Sequence, residues 1–172
     1  MPRVPKEQKP VEGGFKAFLR SNAAYMDSAN TVAYLGRMKQ GNDVLLDMSE
    51  AVHVLIAGAT GSGKSVMMHS IISSLMQKNN PNTARFLLID PKRVEFFDYS
   101  ESDMLLGGQV CEDVSAAVDA LKAVIEEMEK RYQLLKMEHV RNIDGYPCQM
   151  YRIYIVIDEL SALMQESRKE IE

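Results

Sequence analysis

Gly58-Ala59-Thr60-Gly61-Ser62-Gly63-Lys64-Ser65 is the stretch that decides the fold of this 172-residue chain, because it fits the pattern GxxxxGK[ST] at every specified position. Glycines at 58, 61 and 63 allow backbone conformations that are closed to bulkier residues, so successive N–H groups can turn inward around a phosphate. A helix beginning near Lys64 would add its positive N-terminal end. The pattern predicts that Lys64 reaches the β- and γ-phosphates of ATP and that the Ser65 hydroxyl binds Mg²⁺.

The segments on either side of this loop have the patterns that a phosphate-binding loop requires. Residues 53–57, HVLIA, are short, apolar and partly β-branched, which predicts a buried parallel strand. Residues 65–78 contain no Gly or Pro and carry an apolar helical face, which predicts a helix. The alternative, a glycine-rich turn that only caps a helix, is disfavoured because both flanks agree with the loop.

The remaining apolar segments predict an open, largely parallel α/β sheet, since strands alternate with helices. Short apolar stretches at 32–35 and 44–46 flank a turn at 41–43 and resemble a β-hairpin. Residues 85–90 and 152–157 are typical of buried strands. Between them, apolar residues at steps of four and three predict a long helix that packs on the sheet or on a neighbouring helix: Val114, Val118, Leu121, Ile125, Met128, Tyr132 and Leu135.

An acidic pair follows the last of these strands. A carboxylate at a strand end can hold Mg²⁺ through its water shell, and this role is predicted for Asp158. Glu159 is the candidate general base that polarises the attacking water. Two acids at a strand end are also compatible with a helix N-cap, but the phosphate-binding pattern favours catalysis. The chain contains no NKxD motif, which disfavours a GTPase.

Composition limits the other possibilities. A net charge of −4 with 26% charged residues is ordinary for a soluble domain and does not indicate a nucleic-acid partner. Two cysteines without CxxC spacing suggest neither a zinc site nor a disulfide framework. No apolar run approaches the ~20 residues that cross a bilayer, so we expect a cytoplasmic protein, with any membrane association arising from regions outside this chain. Prolines and glycines predict an extended N-terminal linker at 1–25, followed by the ATPase domain at 26–172.

Five blocks occur in order along the chain: HVLIAGATGSGKS at 53–65, LIDPKRVEF at 88–96, MEKRY at 128–132, VRNI at 140–143 and VIDEL at 156–160. Together they closely resemble the FtsK/SpoIIIE DNA translocases, from about Tyr34 to Met164. The resemblance implies a RecA-like P-loop domain, a three-layer α/β/α arrangement with a mainly parallel sheet. It also implies a homo-oligomer, a hexameric ring, that pulls double-stranded DNA through its pore as ATP is hydrolysed.

The resemblance raises further expectations and leaves alternatives open. In that family another strand lies between the P-loop strand and the Asp158 strand, so we expect a partial domain that is incomplete after this last strand, either a fragment or a chain completed by a partner. The turn after the second predicted strand would display Lys92, Arg93 and Glu95 near the nucleotide side of the sheet or at a subunit edge. Spacing alone favours a surface turn with a local ion pair.

The rival functions come from related and unrelated classes. A coupling protein for conjugative DNA transfer and the motor of a protein-secretion apparatus belong to the same superfamily. A non-catalytic, nucleotide-gated assembly module is the rival from another class. Arg131 and Arg141 are weak candidates for contact with the DNA backbone, since an arginine on a helix surface is usually solvated.

Overall fold

The computed structural model describes residues 19–169, and the chain divides into two compact units, Met1–Lys78 and Asn79–Glu172. The described helices and strands of the first unit are α1 (Ala23–Met26), β1 (Val32–Arg37), β2 (Asp43–Asp47), α2 (Met48–Ala51) and α3 (Lys64–Lys78). Those of the second unit are β3 (Ala84–Ile89), α4 (Val114–Met137), β4 (Arg152–Ile157) and α5 (Leu160–Lys169). Short 3₁₀ turns lie at Phe97–Tyr99, Leu106–Gly108 and Ile143–Gly145.

The predicted hairpin is confirmed as the antiparallel pair β1–β2. Val32 lies opposite Asp47, and the register shifts between Tyr34 and Gly36, which marks a β-bulge. Gly41 takes a φ of +91° in the connecting turn, a conformation that side chains disfavour. The turn signal therefore identified the hairpin correctly from local sequence.

Helix α3 docks on this hairpin through two buried serines. Ser70 and Ser74 are four residues apart and so lie on the same helix face. The Ser70 hydroxyl donates to the Tyr34 carbonyl at 2.6 Å, and the Tyr34 N–H donates to the Ser74 hydroxyl at 3.0 Å. Both backbone polar groups of Tyr34 are thus satisfied by α3, which fixes the helix to the strand.

The segment before the hairpin is packed rather than extended. Leu19 and Tyr25 have no exposed surface, and burial raises the pKa of Tyr25 to about 12. Residues 19–25 thus depart from the extended linker predicted for 1–25, because the side chains of Leu19 and Tyr25 are buried against the hairpin. Residues 1–18 lie outside the described residues. The apolar cluster at this place contains Leu19, Tyr25, Tyr34 and Leu45.

The strand predicted at 53–57 is wrong for the described structure. These residues have no strand assignment, and Leu55 is 82% exposed. A strand forms only when a neighbouring strand shares its backbone hydrogen bonds, and no strand pair or isolated bridge among residues 19–169 involves residues 53–57. The apolar pattern identified a segment suited to a buried strand, but not the partner that a strand needs.

The two buried strands of the second unit, β3 and β4, pair in parallel as expected. Ala84 lies opposite Arg152, and the register runs without a shift to Ile89 opposite Ile157. Parallel pairing brings the carboxyl ends of both strands to the same edge. Whatever follows Ile89 and Ile157 in the sequence is therefore placed side by side.

The long helix α4 is confirmed, and Asp113 caps its start by accepting the Ala116 N–H at 3.0 Å. Its first half packs with β3 and α5 around Leu87, Ile89, Ala117 and Leu163, together with the predicted seam residues Val114, Val118 and Leu121. The seam is less buried further on, where Ile125 and Tyr132 are each 55% exposed. No described helix is both long enough and apolar enough to span a bilayer.

Candidate nucleotide-binding and catalytic site

The loop at 58–65 has the backbone that its glycines were expected to provide. Gly61 and Gly63 take φ values of +78° and +97°, where side chains are strained. A Cβ added at Gly58 would overlap the Ser62 hydroxyl oxygen. The Ser62 N–H donates to the Ala59 carbonyl at 3.0 Å and closes the turn. Backbone conformation therefore requires glycine at 61 and 63, whereas a Cβ at position 58 would need the Ser62 side chain to move aside.

The loop leads directly into α3, whose first residue is Lys64. Residues 57–63 are exposed, while Lys64 and Ser65 are half-buried. The first turn of a helix has N–H groups without intrahelical partners, and the helix dipole adds positive potential there, so this end favours an anion. Because α3 is anchored to β1 by its serines, the loop has a rigid base. The arrangement suits a phosphate group lying above the start of α3.

The acidic pair lies at the carboxyl end of β4. The Asp158 N–H donates to the Ile89 carbonyl at 3.1 Å, which extends the parallel ladder by one residue and fixes Asp158 at the strand end. Glu159 follows and precedes α5. Both acidic residues are half-buried. They are thus held by the sheet and not by a mobile loop, as a metal-binding carboxylate and a general base require.

Both carboxylate oxygens of Glu159 accept hydrogen bonds. The Lys92 ammonium donates to Oε2 at 2.6 Å, and the Ser161 hydroxyl donates to Oε1 at 2.9 Å. The hydrogen bond and negative charge of Glu159 raise the pKa of Lys92, burial opposes this, and Asp158 adds to the rise. Lys92 is therefore a cation beside the acidic pair, and its partner lies 67 positions away in sequence, unlike the local ion pair that spacing alone favoured.

Sequence reasoning missed the group that holds this turn in place, the buried carboxylate of Asp90. It is 1% exposed and accepts backbone N–H groups from Arg93 at 3.0 Å, Glu95 at 2.8 Å and Phe96 at 3.1 Å. Burial acts to raise the pKa of Asp90, but the N–H donors of residues 93–96 prevail and hold it below its usual value. An Asp directly before Pro91 at a strand end was the available signal.

The weak candidates for DNA contact differ from each other. The Arg131 side chain is 13% exposed, pairs with Glu127 at 2.7 Å and donates to the Tyr151 carbonyl at 2.6 Å. Its guanidinium also lies 4.5 Å from the centre of the Tyr151 ring. Arg131 thus stabilises α4 against the chain before β4, whereas Arg141 is exposed.

The two halves of the predicted site belong to different compact units, the loop to Met1–Lys78 and the acidic pair to Asn79–Glu172. Among the described side chains, no group of three or more His, Cys, Asp or Glu residues could hold a metal by itself. Mg²⁺ is usually bound by one or two protein oxygens together with substrate phosphates and water. Ser65 and Asp158 have the oxygen donors that this ion takes.

A glycine loop that opens a helix, and a parallel strand pair that ends in an acidic pair, define a P-loop nucleotide-binding domain of the α/β class. The chain belongs to the FtsK/SpoIIIE family, whose family model matches residues 15–171. The resemblance found in the sequence is thus confirmed over most of the chain.

Curated relatives carry the names of DNA translocases. The chain is 39% identical over 166 residues to the DNA translocase SftA of Bacillus subtilis, which covers 91% of this chain and 17% of that protein. It is 36% identical over 171 residues to SpoIIIE of the same organism, covering 91% of this chain and 22% of that protein. The chain therefore spans only about a fifth of the length of these relatives.

Solved structures confirm the fold. The pCW3 conjugation coupling protein TcpA, in its monomer form with ATPγS, has a TM-score of 0.70 and 31% identity, covering 85% of this chain and 40% of that chain. The cytoplasmic domain of the type VII secretion ATPase EccC from Thermomonospora curvata has a TM-score of 0.63 at 21% identity, covering 81% of this chain and 18% of that chain. The predicted RecA-like α/β fold is confirmed by these likenesses.

Proposed function

We propose that this chain is the nucleotide-binding part of an ATP-driven motor that translocates double-stranded DNA. The observation that carries the proposal is the backbone of residues 58–65, whose positive φ angles and following helix form a phosphate cradle in a chain of the FtsK/SpoIIIE family. A glycine loop in another fold would indicate only that an anion binds. In this family, the relatives named DNA translocases support DNA translocation as the activity that ATP drives.

In the proposed reaction the loop binds the triphosphate of ATP. Its backbone N–H groups surround the β-phosphate, as suits the inward turn at Gly61 and Gly63. Lys64 places its ammonium against the β- and γ-phosphates. The Ser65 hydroxyl and the Asp158 carboxylate would hold Mg²⁺, and the ion would neutralise charge that develops on the phosphates.

Glu159 acts as the general base of this reaction. Its position directly after the metal-binding carboxylate, at the rigid end of β4, suits a group that takes a proton from the attacking water. Positioning and electrostatic stabilisation account for most of phosphoryl-transfer catalysis, so a base fixed by the sheet is the appropriate arrangement. Catalysis then requires the 58–65 loop and the acidic pair to meet around one nucleotide.

The mechanical part of the proposal concerns DNA and assembly. Copies of the chain form a homo-oligomer, a hexameric ring, and basic side chains from several subunits contact the DNA backbone. Contacts of this kind release counterions, so binding weakens steeply as salt rises. The protein works in the cytoplasm, with membrane attachment, if any, through regions outside residues 1–172.

A second candidate function, the coupling ATPase of conjugative DNA transfer, is favoured by one observation. The TcpA coupling protein matches at a TM-score of 0.70 with 31% identity. Both candidates use the same nucleotide site, so they differ in the DNA substrate and in the machinery to which the motor is attached. Binding of the intact protein to a purified relaxase–DNA complex, in preference to naked duplex, would select the second candidate.

The test of the proposed function is Glu159→Gln in the intact protein that carries this sequence. We expect ATP turnover to be lost and ATP binding to be retained, since the amide keeps the shape but accepts no proton. Glu126→Gln, an exposed change on α4, is the matched control and should keep full turnover. Wild-type turnover should rise when duplex DNA is added; turnover indifferent to duplex would overturn the motor assignment.

A further inference from the structure

The proposed base is engaged in a way that hydrolysis itself does not require. A general base needs an oxygen lone pair directed at the attacking water, and the hydrogen bonds on both carboxylate oxygens of Glu159 fix how the carboxylate is oriented. Lys92 donates to one oxygen at 2.6 Å and Ser161 donates to the other at 2.9 Å. The carboxylate is thereby held between the turn after β3 and the start of α5.

The contact with Lys92 is built by the fold and does not depend on a flexible side chain alone. The two residues are 67 positions apart in sequence, but β3 and β4 end side by side at Ile89 and Ile157. The buried Asp90 carboxylate then fixes the turn that follows, by accepting three backbone N–H groups. Lys92 thus projects from a fixed turn at the same sheet edge as Glu159.

An ammonium at this distance fixes the orientation of the base. A charge-assisted hydrogen bond is short and directional, so it fixes the direction in which the oxygen lone pairs point. While the pair is closed, the Glu159 carboxylate is oriented toward Lys92.

The pair can also open at small cost. The Lys92 side chain is 58% exposed and that of Glu159 is 31% exposed. Exposed ion pairs are weak and are screened by salt. A buried pair would lock the base permanently, whereas this one restrains it reversibly.

We propose that Lys92 is a positioning residue, which restrains Glu159 in a resting orientation and keeps ATP turnover low until the pair opens. The inference rests on the proposed function, in which Glu159 is the base. It adds a control element from a different strand, the turn after β3, to the site at the end of β4.

The test is Lys92→Met in the intact protein, assayed for ATP turnover without DNA. We expect kcat to rise about two- to fivefold, the range that corresponds to one exposed ion pair, while KM for ATP stays the same. Lys92→Arg keeps a cation against Glu159 and should keep turnover low. Raising the salt concentration should narrow the difference between wild type and Lys92→Met, because the wild-type pair is screened.

Arg93→Met is the matched control, since it removes a neighbouring positive charge whose partner is Glu112 at 3.2 Å. It should leave DNA-free turnover unchanged. Unchanged or lowered kcat in Lys92→Met would overturn the inference, as would a raised rate that persists in the double variant Lys92→Met/Glu159→Gln. If Glu159→Gln alone retained turnover, the proposed function would fail instead, so the two failures are distinguishable.

Discussion

The loop at 58–65 and the paired strand ends at 89–92 and 157–159 both present polar groups, but they are constructed differently. In the loop, every important feature is local: glycines with positive φ, a turn closed within four residues, and a helix that starts at Lys64. At the strand ends, the contacts that join the two strands connect distant parts of the chain, such as Asp158 to Ile89 and Glu159 to Lys92. The first region depends on backbone conformation and the second on strand register.

This difference predicts which substitutions damage which property. Changes in the loop should act on nucleotide binding and on local backbone strain. Changes at the strand ends should act on the stability of the β3–β4 edge and on the chemistry of Glu159. Three substitutions test this separation, from the largest expected effect to the smallest.

Asp90→Ala should have the largest effect on stability. It removes the buried acceptor of three backbone N–H groups, and each unsatisfied buried group costs about 1–3 kcal/mol, so we expect a loss of roughly 3 kcal/mol in the free energy of unfolding. Urea denaturation of the variant and wild type measures it. Asp90→Asn, which keeps one acceptor oxygen, should lose less.

The pH dependence gives a second readout of the same contact. Because the pKa of Asp90 is lowered by folding, its contribution is present above the ordinary carboxyl value of 3.8 and is lost as pH falls through the lowered folded value. The difference in the free energy of unfolding between wild type and Asp90→Ala should therefore become smaller only in strong acid. A gap that stayed constant there would contradict a charged role for Asp90.

Lys64→Ala should have the next largest effect, on binding rather than on folding. Hydrogen bonds to charged groups contribute about 1.5–3 kcal/mol, so the affinity for ATP should fall roughly 10- to 150-fold. Titration calorimetry of the intact protein measures this affinity. Lys39→Ala, an exposed lysine in the hairpin turn, is the control and should bind ATP like the wild type; equal affinities in all three proteins would remove Lys64 from the site.

Gly63→Ala should have the smallest of the three effects. The φ of +97° is strained for any residue with a Cβ, at a cost of about 1–2 kcal/mol, although the space around it is open. Gly145→Ala is the matched control, because Gly145 lacks a positive φ and an added Cβ would meet Val140 at an ordinary 3.5 Å. Thermal unfolding of both variants should show a lower Tm than wild type for Gly63→Ala alone. An equal decrease in Tm for both variants would mean that the positive φ of Gly63 does not make this glycine harder to replace.

Local patterns were sufficient for most elements. The hairpin, α3, β3, α4 and β4 were all predicted from apolar periodicity and turn residues, and the RecA-like fold followed from the ordered motifs. The strand predicted at 53–57 does not form, because an apolar β-branched segment shows that a strand is favourable but does not supply its hydrogen-bonding neighbour. The seam of α4 was predicted to be packed along its whole length, but its first half packs with β3 and α5 while Ile125 and Tyr132 are exposed. An apolar seam does not show where its packing partners end.

The sequence by itself determined the phosphate loop of this protein, because glycine conformations, a lysine and a serine at set spacing act within eight residues. The candidate carboxylates Asp158 and Glu159 were also visible there, as acids after an apolar strand. Only the tertiary structure decided what meets them. Parallel pairing of β3 with β4 places Lys92 against Glu159 across 67 positions of sequence, and a contact of that range is specified by strand register and burial, which no local pattern records.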